Sequence, residues 1–142
     1  MFVKDLLQQK GSGVHTIRPN DTVYRALELM AEKDVGALVV VEGDRVVGMF
    51  TERDYARKVI LKGKNSRSIT VGDLMVREVL YLNPSDQIEH CMALMTEKHL
   101  RHLPVLEEGK LVGLISIGDV VKSIIRHQEF TIQELERYIT GA

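Results

Sequence analysis

Residues 48–54 read GMFTERD, and residues 113–119 read GLISIGD. In each heptad a glycine and two apolar residues lead to a hydroxyl, and an aspartate follows three residues after it. A hydroxyl and an acid at that spacing form a helix capping box, in which the hydroxyl accepts from the third helical N–H and the acid reaches back. Thr51 and Ser116 are therefore expected to end an extended segment and open a helix. Asp54 and Asp119 fall in the first turn, where the helix dipole favours negative charge. One such junction implies capping and little else; its repetition decides the fold.

Sliding the chain against itself by sixty-five positions lays Pro19 on Pro84, Asp21 on Asp86, Leu29-Met30 on Leu94-Met95 and Glu32-Lys33 on Glu97-Lys98. The match continues without a gap through Leu38/Leu103, Val40/Val105, Glu42/Glu107 and Val47-Gly48/Val112-Gly113 to Asp54/Asp119. Self-similarity at one offset marks a duplicated structural unit. Each copy opens with a short extended piece ending in proline, HTIRP and then LYLNP. A helix follows, with Val23, Ala26, Leu27 and Met30 in one copy and Ile88, Cys91, Met92 and Met95 in the other. That i, i+3, i+4, i+7 spacing predicts one buried stripe. Next come two apolar runs about a polar turn: ALVVV and VVGMF, then LPVL and LVGLI. Gly43-Asp44 and Glu108-Gly109 suit tight hairpins. The capping-box junction then opens a second helix, TERDYARKVILKG or SIGDVVKSIIRH.

The fold class is thus α/β (α+β), with two β-α-β-β-α units. A unit of about 60 residues is marginal alone, so the copies are expected to pack through their sheets and share a core. The expected boundaries are an N-terminal helical segment at 1–13, unit one at 14–61, a linker at 62–78, unit two at 79–126 and a C-terminal helical tail at 127–142. The N-terminal MFVKDLLQQK puts Phe2 or Val3 with Leu6 and Leu7 on one side. VGDLM in the linker reads as a short helical turn. Phe130, Ile132, Leu135, Tyr138 and Ile139 give the tail an apolar face, for a partner or for packing back on unit one.

Composition narrows the function. The 142 residues carry a formal net charge of −1, with 44% apolar and 27% charged residues. No basic excess points to nucleic acid, and no apolar run approaches the ~20 residues of a membrane span. A single cysteine cannot form an internal disulfide, which fits a reducing cytoplasm. Cys91 sits on the apolar stripe and reads as core. The histidines lack metal-ligand spacing, so no metal is expected. GSG at 11–13 is a loop, since no strand precedes it and no helix follows as a dinucleotide fingerprint requires.

The β-α-β-β-α order, the proline-ended first strand and the Gly-apolar-apolar-[Ser/Thr]-x-x-Asp close resemble a tandem pair of CBS domains, the Bateman module. GMFTERDYARKV, RHLPV and ISIGDVV resemble a stand-alone bacterial and organellar subfamily. The resemblance implies clefts between the paired domains that take adenosine-containing ligands: AMP foremost, with ADP, ATP, NAD(H) or S-adenosylmethionine as alternatives. Asp54 and Asp119 would accept from the two ribose hydroxyls, as charge-assisted hydrogen bonds favour, with Thr51 and Ser116 beside them. Asp119 stands next to Gly118 and is the less crowded of the two. The resemblance assigns the adenine slot to Thr16, Ile17, Val35, Gly36 and Ala37 in unit one, and to Tyr81, Leu82, Leu100 and Leu103 in unit two. Arg53, Arg101 and His102 would meet phosphate. Uncharged Gly36 and Ala37 would leave room in one cleft for a larger second ligand such as NAD(H), while Arg101 and His102 mark the other for phosphate. The expected partners are a second copy of the chain and an effector protein, with no nucleic acid and no membrane. No activated nucleophile or paired acid and base suggests catalysis. A nucleotide-acting enzyme and a structural dimer with vestigial clefts are the rival readings.

Overall fold

Two hairpins, each flanked by helices, build the molecule. It is described by a computed structural model over residues 1–11 and 13–140; Ser12 of the GSG loop and the last two tail residues lie outside. In unit one, β1 (Thr16–Ile17), α2 (Val23–Lys33), β2 (Ala37–Glu42) and β3 (Arg45–Thr51) lead into α3 (Glu52–Tyr55), which continues as a π-helical turn over Ala56–Ile60. β1 runs parallel to β2 with Thr16 opposite Val39, and β2 pairs antiparallel with β3. Unit two repeats this with α5 (Ile88–Lys98), β4 (His102–Glu107), β5 (Lys110–Ser116) and α6 (Ile117–Thr140). Its opening strand shrinks to one parallel bridge, Leu82 to Val105.

Local chemistry sets the boundaries. The Thr22 hydroxyl accepts from the Arg25 N–H at 3.1 Å and starts α2, as a side-chain N-cap does. Asp34 and His99 close α2 and α5 at φ 53° and 55°, the left-handed C-cap conformation. In the second hairpin Glu108 and Gly109 both have positive φ, as a two-residue type I′ turn requires.

Each unit has its own core, one around Ile17, Val23, Leu38, Val40 and Phe50, the other around Leu82, Ile88, Cys91, Leu103 and Ile115. Ala37, Val39 and Met49 meet Leu111 and Leu114 between the sheets, so the units do pack through their sheets. Met92, expected on the buried stripe, is exposed, and Leu94 packs against that core instead.

The leading helices are exchanged between the units. α1 (Val3–Lys10) holds VKDLL at 3–7, and α4 (Val71–Leu74) begins VGDLM at 71–75. The N–H groups of Val3 and Lys4 donate to the carbonyls of Asp86 and Pro84 at 2.8 and 2.9 Å. Those of Val71 and Gly72 donate to Asp21 and Pro19 at 2.8 and 2.9 Å. Each unit's leading helix therefore docks on the strand-to-helix turn of the other. Leu7 lies over Gly113, and Met75 over Gly48. The repeat thus runs further than a single offset reveals, because unit one carries three extra residues between its leading helix and first strand.

α6 continues past the end of unit two as one helix. From Ile125 to Thr140 its residues are exposed, and it does not fold back on unit one. Among the described residues no helix is long and apolar enough to cross a membrane.

Candidate functional site

Both junctions form capping boxes. At the first, the Thr51 hydroxyl accepts from the Asp54 N–H at 3.2 Å, and Asp54 Oδ2 accepts from the Thr51 N–H at 3.0 Å. Asp54 is buried, and Lys58 Nζ lies 3.3 Å from its Oδ1 while also donating to the Leu74 carbonyl. The π-helical turn follows directly, and Lys58 projects from it. At the second junction Ser116 Oγ accepts from the Asp119 N–H at 3.1 Å, and Asp119 Oδ2 accepts from the Ser116 N–H at 2.9 Å.

The counter-ions differ. Sixty-five positions beyond Lys58 stands Ser123, which is buried and donates to the Met1 sulfur. Asp119 takes its cation from far away in sequence: Lys10, the last residue of α1, bonds its Oδ2 and also donates to the Leu114 carbonyl at 2.6 Å. Burial alone would raise the Asp119 carboxyl. The hydrogen bond from Lys10, the Ser116 N–H and the ammonium charge outweigh it and hold the group below its usual range.

A cavity of about 740 Å³ opens at the first junction. Gly36, Thr51, Arg53 and Asp54 from unit one line it together with Leu100, Arg101, His102 and Leu103 from unit two. The sequence reading set Gly36 apart from Arg101 and His102 in separate clefts, and the structure brings them together. The reason lies in the backbone. Val76 pairs with Met49, N–H to carbonyl in both directions at 3.0 and 2.9 Å, and carries the chain to Leu80 across the end of β3. The segment after α5 faces it, with His102 Cε1 3.6 Å from where a Gly36 Cβ would stand. Gly36 and the Arg101-His102 pair thus share one cavity rather than marking a roomy cleft and a phosphate cleft.

The other candidates are placed elsewhere. Thr16 and Ile17 border a separate hollow of about 570 Å³ with Arg18, Asp21 and Arg25. Leu82 is core, Val35 packs on the core of unit one, Ala37 is buried between the sheets and Tyr81 is exposed. Ser116 and Asp119 stand at the second junction beside Lys10.

Sequence reasoning missed the wall of Val76, Glu78, Val79 and Leu80, and also Arg57 and Lys98, all of which line the cavity. The signal for the wall was the VGDLM echo of VKDLL, which places the residues after it over β3. The cavity has an apolar side of Met49, Val79, Leu80, Leu100 and Leu103, four cationic side chains, Arg53, Arg57, Lys98 and Arg101, and three carboxylates, Glu52, Asp54 and Glu78. Arg53 Nη1 donates to the His99 carbonyl at 2.9 Å. Burial, and then the charge of Lys10, lower the His102 imidazole below its ordinary value. Among the described residues no three His, Cys, Asp or Glu converge as metal ligands. Cys91 is a buried thiol, pushed up to about 11 by desolvation and the Asp86 charge. Chemically, the site joins a hydrogen-bond-accepting carboxylate, a flat apolar wall and a cluster of cations.

A family model described as CBS domain matches the chain twice, over residues 3–61 and 71–126. Both matches start at the leading helices. The fold resembles a solved CBS-domain protein from Burkholderia ambifaria at 51% identity and TM-score 0.86, covering 90% of this chain and 96% of that one. In sequence the chain is 37% identical to the mitochondrial CBS domain-containing protein CBSX3 of Arabidopsis thaliana, over 98% of this chain and 72% of the relative. At 21% identity and TM-score 0.78, covering 87% of this chain and 95% of that one, the fold also matches the CBS domain pair of protein MJ0100, solved with 5′-methylthioadenosine and S-adenosyl-L-methionine.

Proposed function

From a chain that belongs to the CBS domain family and carries the domain twice, we propose a regulatory module that binds an adenine nucleotide, AMP first among them, and signals by a change of shape. The observation that carries this reading is the cavity at Asp54, where that capping carboxylate, an apolar wall and four cations, partly offset by Glu52 and Glu78, converge. A ribose presents two adjacent hydroxyl donors, which a carboxylate accepts more strongly than a neutral group does. The apolar wall suits adenine, and the cations suit phosphate. About 740 Å³ lies within the 300–1,000 Å³ typical of small-ligand pockets. The adenosine ligands of MJ0100 support the ligand class.

ADP, ATP and NAD(H) share the same recognition elements and are the ligands to compare with AMP. No step in this reading makes or breaks a covalent bond, so the module acts through contact with an effector protein. A second copy of the chain would cover the exposed apolar residues of α6. A reducing compartment such as the cytoplasm suits a chain with one buried thiol.

The test is calorimetry on the wild type and Asp54→Ala. Asp54 lines the cavity, so Asp54 is the residue to remove first despite its more crowded sequence. Losing a charged acceptor should weaken AMP binding by about 2–3 kcal/mol, roughly 30- to 150-fold. Unchanged affinity would leave Asp54 as a helix cap alone. Absence of binding by AMP, ADP, ATP, NADH and S-adenosylmethionine alike would end the sensor reading.

A further inference from the structure

In unit one the groups around the junction are satisfied locally. The Met49 carbonyl accepts from the Val76 N–H at 2.9 Å, and Asp54 is paired with Lys58 of its own helix. In unit two a single side chain serves both equivalents. Lys10 Nζ bonds the Leu114 carbonyl, the counterpart of Met49, and Asp119, the counterpart of Asp54. α1 continues to Lys10 where the chain after α4 turns extended, and Ser123 leaves the helix of Asp119 without an ammonium at the position of Lys58.

Resting on the ligand-sensing reading, we propose that Lys10 is a gate on the second junction: its ammonium holds Oδ2 of the carboxylate that a ribose would need, and a nucleotide that brings both ribose hydroxyls onto Asp119 must displace it. Glycines follow Lys10 at positions 11 and 13. Gly11 ends α1 at φ 93°, with nothing within 4 Å of where its Cβ would stand, and the same openness holds at Gly13. The helix itself stays anchored through Val3, Leu6 and Leu7, so release frees the last turn and not the whole element. The pair is partly solvated, with Lys10 32% and Asp119 22% exposed, so a competing ligand has access to it.

The gate makes the two junctions unequal. At the Asp54 cavity the paired ammonium, Lys58, sits on the carboxylate's own helix, whereas filling the Asp119 junction moves a residue of α1. That event alone reports to the N-terminal helix.

The test is calorimetric titration of the full chain with AMP for wild type, Lys10→Met, Lys10→Gln and Lys10→Met combined with Asp119→Asn. Removing a competing ion pair should tighten the weaker AMP site by about three- to fivefold. Both single variants should show it, and Asp119→Asn should abolish the gain. Hydrogen exchange at residues 7–10 of the wild type should rise at saturating AMP. Unchanged or weaker AMP affinity in both Lys10 variants overturns the gate while leaving nucleotide binding in place. Absence of AMP binding in wild type and variants alike overturns it through the ligand-sensing reading.

Discussion

The Arg53 guanidinium donates to the His99 carbonyl at 2.9 Å, so a side chain from the first turn of α3 caps the end of α5 in the other unit. A cation at a helix C-terminus meets the negative end of the dipole. The same side chain lines the Asp54 cavity, so one residue both joins the units and offers charge to a ligand. Arg53→Met should lower stability by about 0.5–1 kcal/mol. It should also weaken AMP binding by about tenfold, the scale of one hydrogen bond to a charged group. A stability loss with full AMP affinity would restrict Arg53 to the joint.

The glycines beneath the exchanged helices give a contrast within one molecule. A Cβ on Gly48 would stand 2.7 Å from the Met75 sulfur and 2.9 Å from the Val76 carbonyl oxygen, whereas on Gly113 it would meet only the Leu7 side chain. A side chain can turn aside; a paired backbone oxygen cannot do so without breaking its ladder. Gly48→Ala should cost about 2–3 kcal/mol and Gly113→Ala about 1 kcal/mol, within the usual range for overpacking. Urea unfolding of both variants measures this, and the reverse order would show that the two docking surfaces are not built as described.

Acid should separate the Lys10–Asp119 pair from the rest of the structure. The folded Asp119 carboxyl titrates below its ordinary value of 3.8, so on acidification the unfolded chain takes up that proton first. The stabilisation is therefore complete above the ordinary value and fades as pH falls from there through the folded value. The wild type should exceed Lys10→Met by about 0.5–1 kcal/mol at pH 7, and the gap should narrow as the pH falls below 3.8. A gap that stays constant over that range would mean the ammonium acts through the Leu114 carbonyl alone.

The outer part of α6 shows Val121, Ile125, Ile132, Leu135 and Ile139 to solvent, spaced along one helix face. Past Arg126 this helix extends by about 20 Å at 1.5 Å per residue. Symmetric association of two copies would cover such a stripe. Light scattering should give a dimer mass for the wild type and a monomer mass for Leu135→Glu with Ile139→Glu. A monomeric wild type at micromolar concentration, with AMP present, would remove the dimer from the proposal.

The sequence made the two units legible because burial within each is periodic: Val23, Ala26 and Met30 repeat as Ile88, Cys91 and Met95, and all six are buried. Capping was equally readable, since a capping box needs only local residues. The cavity was half legible. Thr51, Asp54, Arg101 and His102 stand out by residue type, but which of them share a space depends on how one unit meets the other. That meeting is set by the pairing of Val76 with Met49 and by helices whose echo a constant offset hides. The counter-ion of Asp119 was hidden for a related reason. The neighbour that matters, Lys10, is 109 residues away, and inspecting the residues beside Asp119 in sequence does not reveal it.

The exchange of leading helices also bears on the order in which the ribosome releases the chain. α1 leaves first, yet the surfaces it docks on, Pro84, Asp86 and Gly113, are made last. α4 has the opposite history: its landing site at Pro19 and Asp21 is already outside when it emerges. The nascent first unit can therefore close with its partner's helix while α1 still waits, with Val3, Leu6 and Leu7 uncovered. Contacts this distant in sequence form slowly, because the loop between them must close before any contact compensates for it. Final closure of the molecule is thus the homecoming of α1, and a chain stopped short of residue 84 would leave that helix with no place to bind.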